Sequence, residues 1–199
     1  MHSILHREVF FLSGESLSIV TREYQARFKS IVENMSKEIF DAGDNNSVSE
    51  SYICQMIPHH RAGVEMCKNL LRYTTFVPLQ NIAQNMINIQ INKIREMSSM
   101  FLCCKEAENS IQDWNEYCEK TDKIVNEMIE KMCLNQIHNN ININFIHQMI
   151  HHHRGAVYMS RSALKYPVCN KLIPVINNIN EVQTEEIKEM EELLKTNVY

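Results

Sequence analysis

Glycine and proline are scarce, with four of each in 199 residues. No Gly-rich loop is available to cradle a phosphate and no nucleophile elbow is present, so phosphate-loop and Ser-His-Asp chemistry have no support. So few turn formers, beside 12 Met and abundant Asn, Ile, Lys and Glu, point to helices with few tight turns. Positive charge is not in excess either. The net charge is −4 and the isoelectric point about 6.1, which offers phosphates no basic face and argues against a nucleic-acid partner. Long apolar runs are also missing. Val9-Phe10-Phe11-Leu12 is broken by Ser13-Gly14-Glu15, too short for a signal peptide or a membrane span. The expectation is a soluble chain with no membrane partner, retained in the cytoplasm.

Cysteine is present but not in a metal-finger pattern. Cys54, Cys67, Cys103, Cys104, Cys118, Cys133 and Cys169 form no CxxC pair, and their number is odd. In a chain without an export signal they read as reduced thiols, several of them small core residues.

What the sequence does contain, twice, is Met-x-x-His-His: Gln55-Met56-Ile57-Pro58-His59-His60-Arg61 and Gln148-Met149-Ile150-His151-His152-His153-Arg154. At about 100° per helical residue, Met56, His59 and His60 fall within roughly a third of the circumference. Met149, His152 and His153 repeat that layout. Met alone is ordinary core filler and a single buried His is usually a satisfied one. Adjacent histidines are poor core material, because each ring brings a donor and an acceptor that need partners. A thioether and two imidazoles on one face suit a soft or borderline metal such as copper.

The offset of 93 between Met56 and Met149 extends along the chain. Tyr24 matches Tyr117, Met35 matches Met128, and Val64, Met66, Leu71 and Tyr73 match Val157, Met159, Leu164 and Tyr166. Gln90 and Glu96-Met97 match Gln183 and Glu189-Met190. A constant offset from 24 to 190 reads as a tandem duplication. The expected organisation is a single domain over 1–199 made of two repeats, about 15–105 and 108–195.

Each repeat reads as three helices: about 15–42, 47–73 and 79–105, then 111–136, 142–166 and 170–195. Ser47-Val48-Ser49-Glu50 fits a capping box at the start of the second helix. Asn-rich connectors at 43–46 and 138–140 follow the first helices, while short turns make the second and third helices antiparallel pairs. The predicted fold is therefore all-α. Two hairpins form a four-helix bundle, and one extra helix per repeat brings the total to about six. Pro58 falls inside its helix and should kink it; its counterpart is His151, which, like His147, points away from the Met149 face. His2 and His6 fall in the N-terminal segment and His138 in a connector.

The His-His faces must look at the third helices, where Gln90 and Met97, or Gln183 and Met190, are the polar and sulfur-bearing candidates. The glutamines suit the task of holding a second imidazole nitrogen. Met-Ile-Pro-His-His-x-x-x-Val-x-Met, Met-Ile-x-His-His-Arg-Gly-Ala-Val-x-Met and the later Gln…Glu-Met resemble the domain-of-unknown-function 305 family. The resemblance covers about 49–105 and 142–195, with the first helices as additions. It implies a ferritin-like bundle and copper as cofactor, with members implicated in copper resistance. Carried over residue by residue, it implies Met56, His59, His60, Met149, His152 and His153 as copper ligands, with Met97 and Met190 as further thioether donors. Two departures stand out: family members are mostly exported, and His151 replaces the usual Pro of the second motif.

A di-iron centre is disfavoured, since no Glu-x-x-His has its histidine at either site and Glu96 and Glu189 lie off the Gln90 and Gln183 faces. Carboxylates are therefore expected to be scarce inside. The leading expectation is a metal-binding protein that sequesters or delivers copper, as Cu(I) in a reducing compartment. The alternatives are a metal-dependent redox enzyme, for which no acid/base partner is evident, and a non-metallated scaffold. Outward Tyr and Met residues on the first helices are the candidate surface for a homodimer.

Overall fold

The computed structural model describes residues 16–42, 47–104 and 106–196. His2, His6, the Val9–Leu12 run, the helix start expected at Glu15, the 43–46 connector and the helix end expected at Lys105 lie outside them. Six helices follow in order: α1 (Ile19–Phe40), α2 (Val48–Leu70), α3 (Val77–Cys104), α4 (Ile111–Cys133), α5 (Ile141–Ala163) and α6 (Ile173–Lys195). No strand occurs among the described residues, so the fold is an all-α bundle of six helices.

Local chemistry sets the helix starts. The hydroxyls of Ser18, Ser47 and Ser110 accept from the backbone N–H groups of Thr21, Glu50 and Asp113, and Asn140 accepts from Asn142 and Ile143. Each cap satisfies donors that the first helical turn leaves without a partner. α6 opens instead with Pro174 in its first turn, where a missing N–H costs nothing. α2 runs continuously through Pro58.

The α2 and α5 helices pack on each other at the centre. α1 and α3 lie against α2, while α4 and α6 lie against α5; α1 touches α4 and α3 touches α6 only lightly. The apolar faces are continuous. Tyr24, Phe28, Val32, Met35 and Ile39 of α1 and Tyr117, Val125, Met128 and Met132 of α4 are all buried in the core. The tyrosines and methionines expected to face outward on the first helices therefore point inward, and they provide no dimer surface. Their spacing of three and four residues is that of a core-facing stripe.

Contacts recur at the offset of 93. The Tyr24 hydroxyl donates to Gln148 Oε1 at 3.0 Å, and the Tyr117 hydroxyl donates to Gln55 Oε1 at 3.1 Å. Tyr24 meets Tyr73 edge-on with centroids 6.1 Å apart, and Tyr117 meets Tyr166 at 6.0 Å. Each first helix thus reaches across to the second helix of the opposite half, more than an added outer layer would. The relation has local variants. Tyr52 and Ser160 exchange a hydrogen bond at 2.8 Å, whereas the positions equivalent by offset are Phe145 and Cys67, an apolar pair in place of a polar one. No helix among the described residues is long and apolar enough to cross a membrane.

Candidate metal centre

Where α2 crosses α5, four histidines meet in the interior. His59, His60, His152 and His153 are at most 1% exposed, and Met56, Met97, Met149 and Met190 are fully buried. The His59 and His152 rings stack with centroids 3.7 Å apart and planes 22° from parallel. His60 and His153 flank them, with centroids 5.9 and 5.8 Å from their chain neighbours.

The hydrogen bonds fix the tautomers. His59 Nε2 lies 3.1 Å from the His152 carbonyl oxygen, and His152 Nε2 lies 3.1 Å from the His59 carbonyl oxygen. A carbonyl can only accept, so each Nε2 carries the proton. His60 Nδ1 donates to the Met56 carbonyl at 3.1 Å in the same way. His153 Nε2 donates to Glu186 Oε2 at 2.8 Å. In every neutral ring one nitrogen is then spent as a donor and the other keeps an in-plane lone pair. His59 Nδ1, His152 Nδ1 and His153 Nδ1 are buried without any hydrogen-bond partner.

His59, His60 and His152 stay neutral because charge is expensive here. Burial pushes the His59 and His152 imidazoles well below their ordinary range, and the neighbouring histidines push them further. Burial, followed by His153, brings His60 down to about 3; the Met56 carbonyl opposes this and the Lys93 ammonium adds a lesser push downward.

Glu186 is the residue that sequence reasoning missed. The interior was expected to be short of carboxylates, yet Glu186 is only 6% exposed and holds His153. Its equivalent at the offset of 93 is Lys93, which pairs with Glu96 at 2.6 Å. The two half-sites therefore differ in sign: a carboxylate beside His153, an ammonium near His60. The available signal was register, since Glu186 lies three residues after Gln183 and four before Met190, on one helical face.

The glutamines do not hold the histidines as expected. Gln90 has neither amide atom hydrogen-bonded, and its amide occupies the space a Cβ on Gly63 would fill. Backbone carbonyls and Glu186 take that role. His151 and His147 are half-buried, and His147 stacks at 6.5 Å on His138.

None of the seven cysteines is in a disulfide. Among the described residues, one set of three His, Cys or acidic ligand atoms lies within 4.8 Å of one another, and it is not at the histidines. It is Cys103, Cys104 and Cys169, brought together where the end of α3 meets the loop before α6. The four imidazoles do not offer three converging nitrogens, so the Met56, Met149, Met97 and Met190 thioethers would have to complete any metal shell between them.

No curated protein and no solved structure matches the chain significantly. The family model described as "Domain of unknown function (DUF305)" matches residues 21–101 and 51–194, spans that take in most of α1 and all of α4, which the motif resemblance had set aside as additions. With both Met-x-x-His-His helices inside those spans, the chain belongs to the domain-of-unknown-function 305 family.

Proposed function

We propose that the chain binds copper as Cu(I) at the crossing of α2 and α5, through His59, His60, His152 and His153 with Met56, Met149, Met97 and Met190. The observation that carries this reading is the set of buried imidazole nitrogens with no hydrogen-bond partner. An orphaned lone pair in an apolar interior costs stability, and a soft cation is the partner it suits. Imidazole and thioether ligands are neutral, so the ion would enter without displacing a thiol proton, and the Glu186 carboxylate would offset its charge on one side.

In this reading the protein sequesters or hands over copper. The residues bind and exclude water, and the one carboxylate beside them, Glu186, is engaged with His153. Anaerobic titration with Cu(I) against a competing chelator tests it. The His59→Ala/His60→Ala and His152→Ala/His153→Ala variants should each bind fewer ions. Met56→Leu/Met149→Leu, which conserves volume and should cost little stability, should weaken binding with the fold intact. Unchanged stoichiometry and affinity in all three would overturn the assignment.

A second reading rests on the reciprocal His59–His152 carbonyl bonds: the pair acts as a brace between α2 and α5. Under it, thermal unfolding is the same with Cu(I) and with a chelator.

A further inference from the structure

At the start of α2 lies a cluster the histidine site does not use. Cys103 and Cys104 close α3, and Cys169 sits in the loop before α6 with its N–H donating to Ser49 Oγ at 2.9 Å. Ser49 lies ten residues before His59, about 15 Å along the helix at 1.5 Å per residue. The Cys103 and Cys104 sulfurs are 3.9 Å apart, and all three sulfurs lie within 4.8 Å of one another. Three sulfurs held by one ion at about 2.3 Å, the usual metal–thiolate distance, stand about 4.0 Å apart in a plane. Closing the cluster on an ion therefore takes movements of less than about 1 Å.

We propose that Cys103, Cys104 and Cys169 form a second, thiolate site for a soft d10 cation, Cu(I) in three-coordinate form. Binding replaces three S–H bonds by three metal–sulfur bonds, and the three protons go to solvent. Exposure grades across the cluster: Cys104 is buried, Cys169 half-buried and Cys103 exposed, so an ion could enter and leave from one side. Burial raises the Cys169 thiol, but the Cys104 thiol and the N–H groups of Lys171 and Leu172 outweigh it and leave Cys169 below its ordinary range. The cluster is not a by-product of the repeated scaffold. At the offset of 93 its positions are Phe76, Thr196 and Asn197, without sulfur. Zinc fits less well, because a closed structural zinc site needs a fourth protein ligand and the set contains three.

The proposal does not depend on the histidine site, and the two fail separately. The experiment uses the full chain, metal-free and fully reduced, titrated anaerobically with Cu(I) against a competing chelator. Bound ions are counted and the ultraviolet thiolate-to-copper charge-transfer band is followed. Wild type should show the band. Cys103→Ser/Cys169→Ser should lose it together with one ion per chain, whereas His59→Ala/His60→Ala and the control Cys133→Ser should keep it. The Cys103 thiol should react with an aromatic disulfide reagent in the metal-free protein and be protected by Cu(I). Absence of the band in wild type, its persistence in Cys103→Ser/Cys169→Ser, or an unprotected Cys103 would each overturn the proposal. Circular dichroism of the serine variant separates loss of the site from loss of the fold.

Discussion

Acidification should unfold the metal-free protein through its buried histidines, and the size of the effect can be worked out. An unfolded histidine takes up a proton near pH 6.5. In the folded chain His59 and His152 lie well below that value and His60 at about 3. A group depressed on folding contributes stability that is fully present above its unfolded pKa and lost as pH falls towards its folded one. The slope is about 1.4 kcal/mol per pH unit for each proton the unfolded state alone takes up. For His60 the whole window, from about 6.5 to about 3, amounts to about 5 kcal/mol. His60 alone accounts for about 2 kcal/mol of this by pH 5, against a total stability of about 5–15 kcal/mol for ordinary domains, and His59 and His152 add to the loss in the same direction. The assay is urea unfolding of chelator-treated protein between pH 8 and pH 5, read by circular dichroism. Stability should be level above pH 7 and then fall more steeply than the about 1.4 kcal/mol per pH unit of a single ring. His60→Gln should make the slope shallower by about 1.4 kcal/mol per pH unit. A level stability down to pH 5, or a slope unaffected by His60→Gln, would refute the assignment of neutral, desolvated rings.

Three further outcomes follow from the packing. Glu186→Leu leaves His153 with a second nitrogen lacking a partner in the interior and should cost about 1–3 kcal/mol in urea unfolding; a neutral result would mean the pair is not formed. Tyr24→Phe and Tyr117→Phe remove equivalent bonds to Gln148 and Gln55, so each should cost about 1 kcal/mol, and a difference of more than about twofold would deny their equivalence. Gly63→Ala would overlap the Gln90 amide, yet the equivalent position at the offset of 93 already carries Ala156. The amide can swing and alanine favours helix, so the change should stay within about 1 kcal/mol of wild type; a loss beyond about 2 kcal/mol would show that Gln90 is fixed.

The helices were legible because their signals are local: capping residues, apolar stripes at spacings of three and four, and the same pattern again 93 positions later. Ends shifted by a few residues, with α6 starting at Ile173 rather than 170 and α4 stopping at Cys133 rather than 136. The histidines' burial was legible too, since Met56, His59 and His60 share a face. The tautomers of His59 and His152 were not, because their acceptors are carbonyls on a helix 93 residues away. Glu186 escaped notice because a charged side chain on a third helix is expected to be solvated and its counterpart is a lysine. The thiol trio was invisible for a different reason: 65 residues separate Cys104 from Cys169, and nothing near either predicts the encounter.

The hydroxyls that Tyr24 and Tyr117 send across the molecule bear on how the chain becomes ordered. Gln55 and Gln148 each take a tyrosine hydroxyl from the other half of the polypeptide, and His59 and His152 exchange bonds in the same reciprocal fashion. Three helices by themselves would leave a tyrosine without its acceptor, a glutamine without its donor and two imidazoles exposed. The assembly thus behaves like a dimer written into one polypeptide, in which the connector between α3 and α4 replaces a concentration-dependent encounter by an intramolecular one. The tether also frees the two contributions to diverge, which is how a carboxylate and an ammonium can occupy corresponding places on either side of one stacked pair of rings.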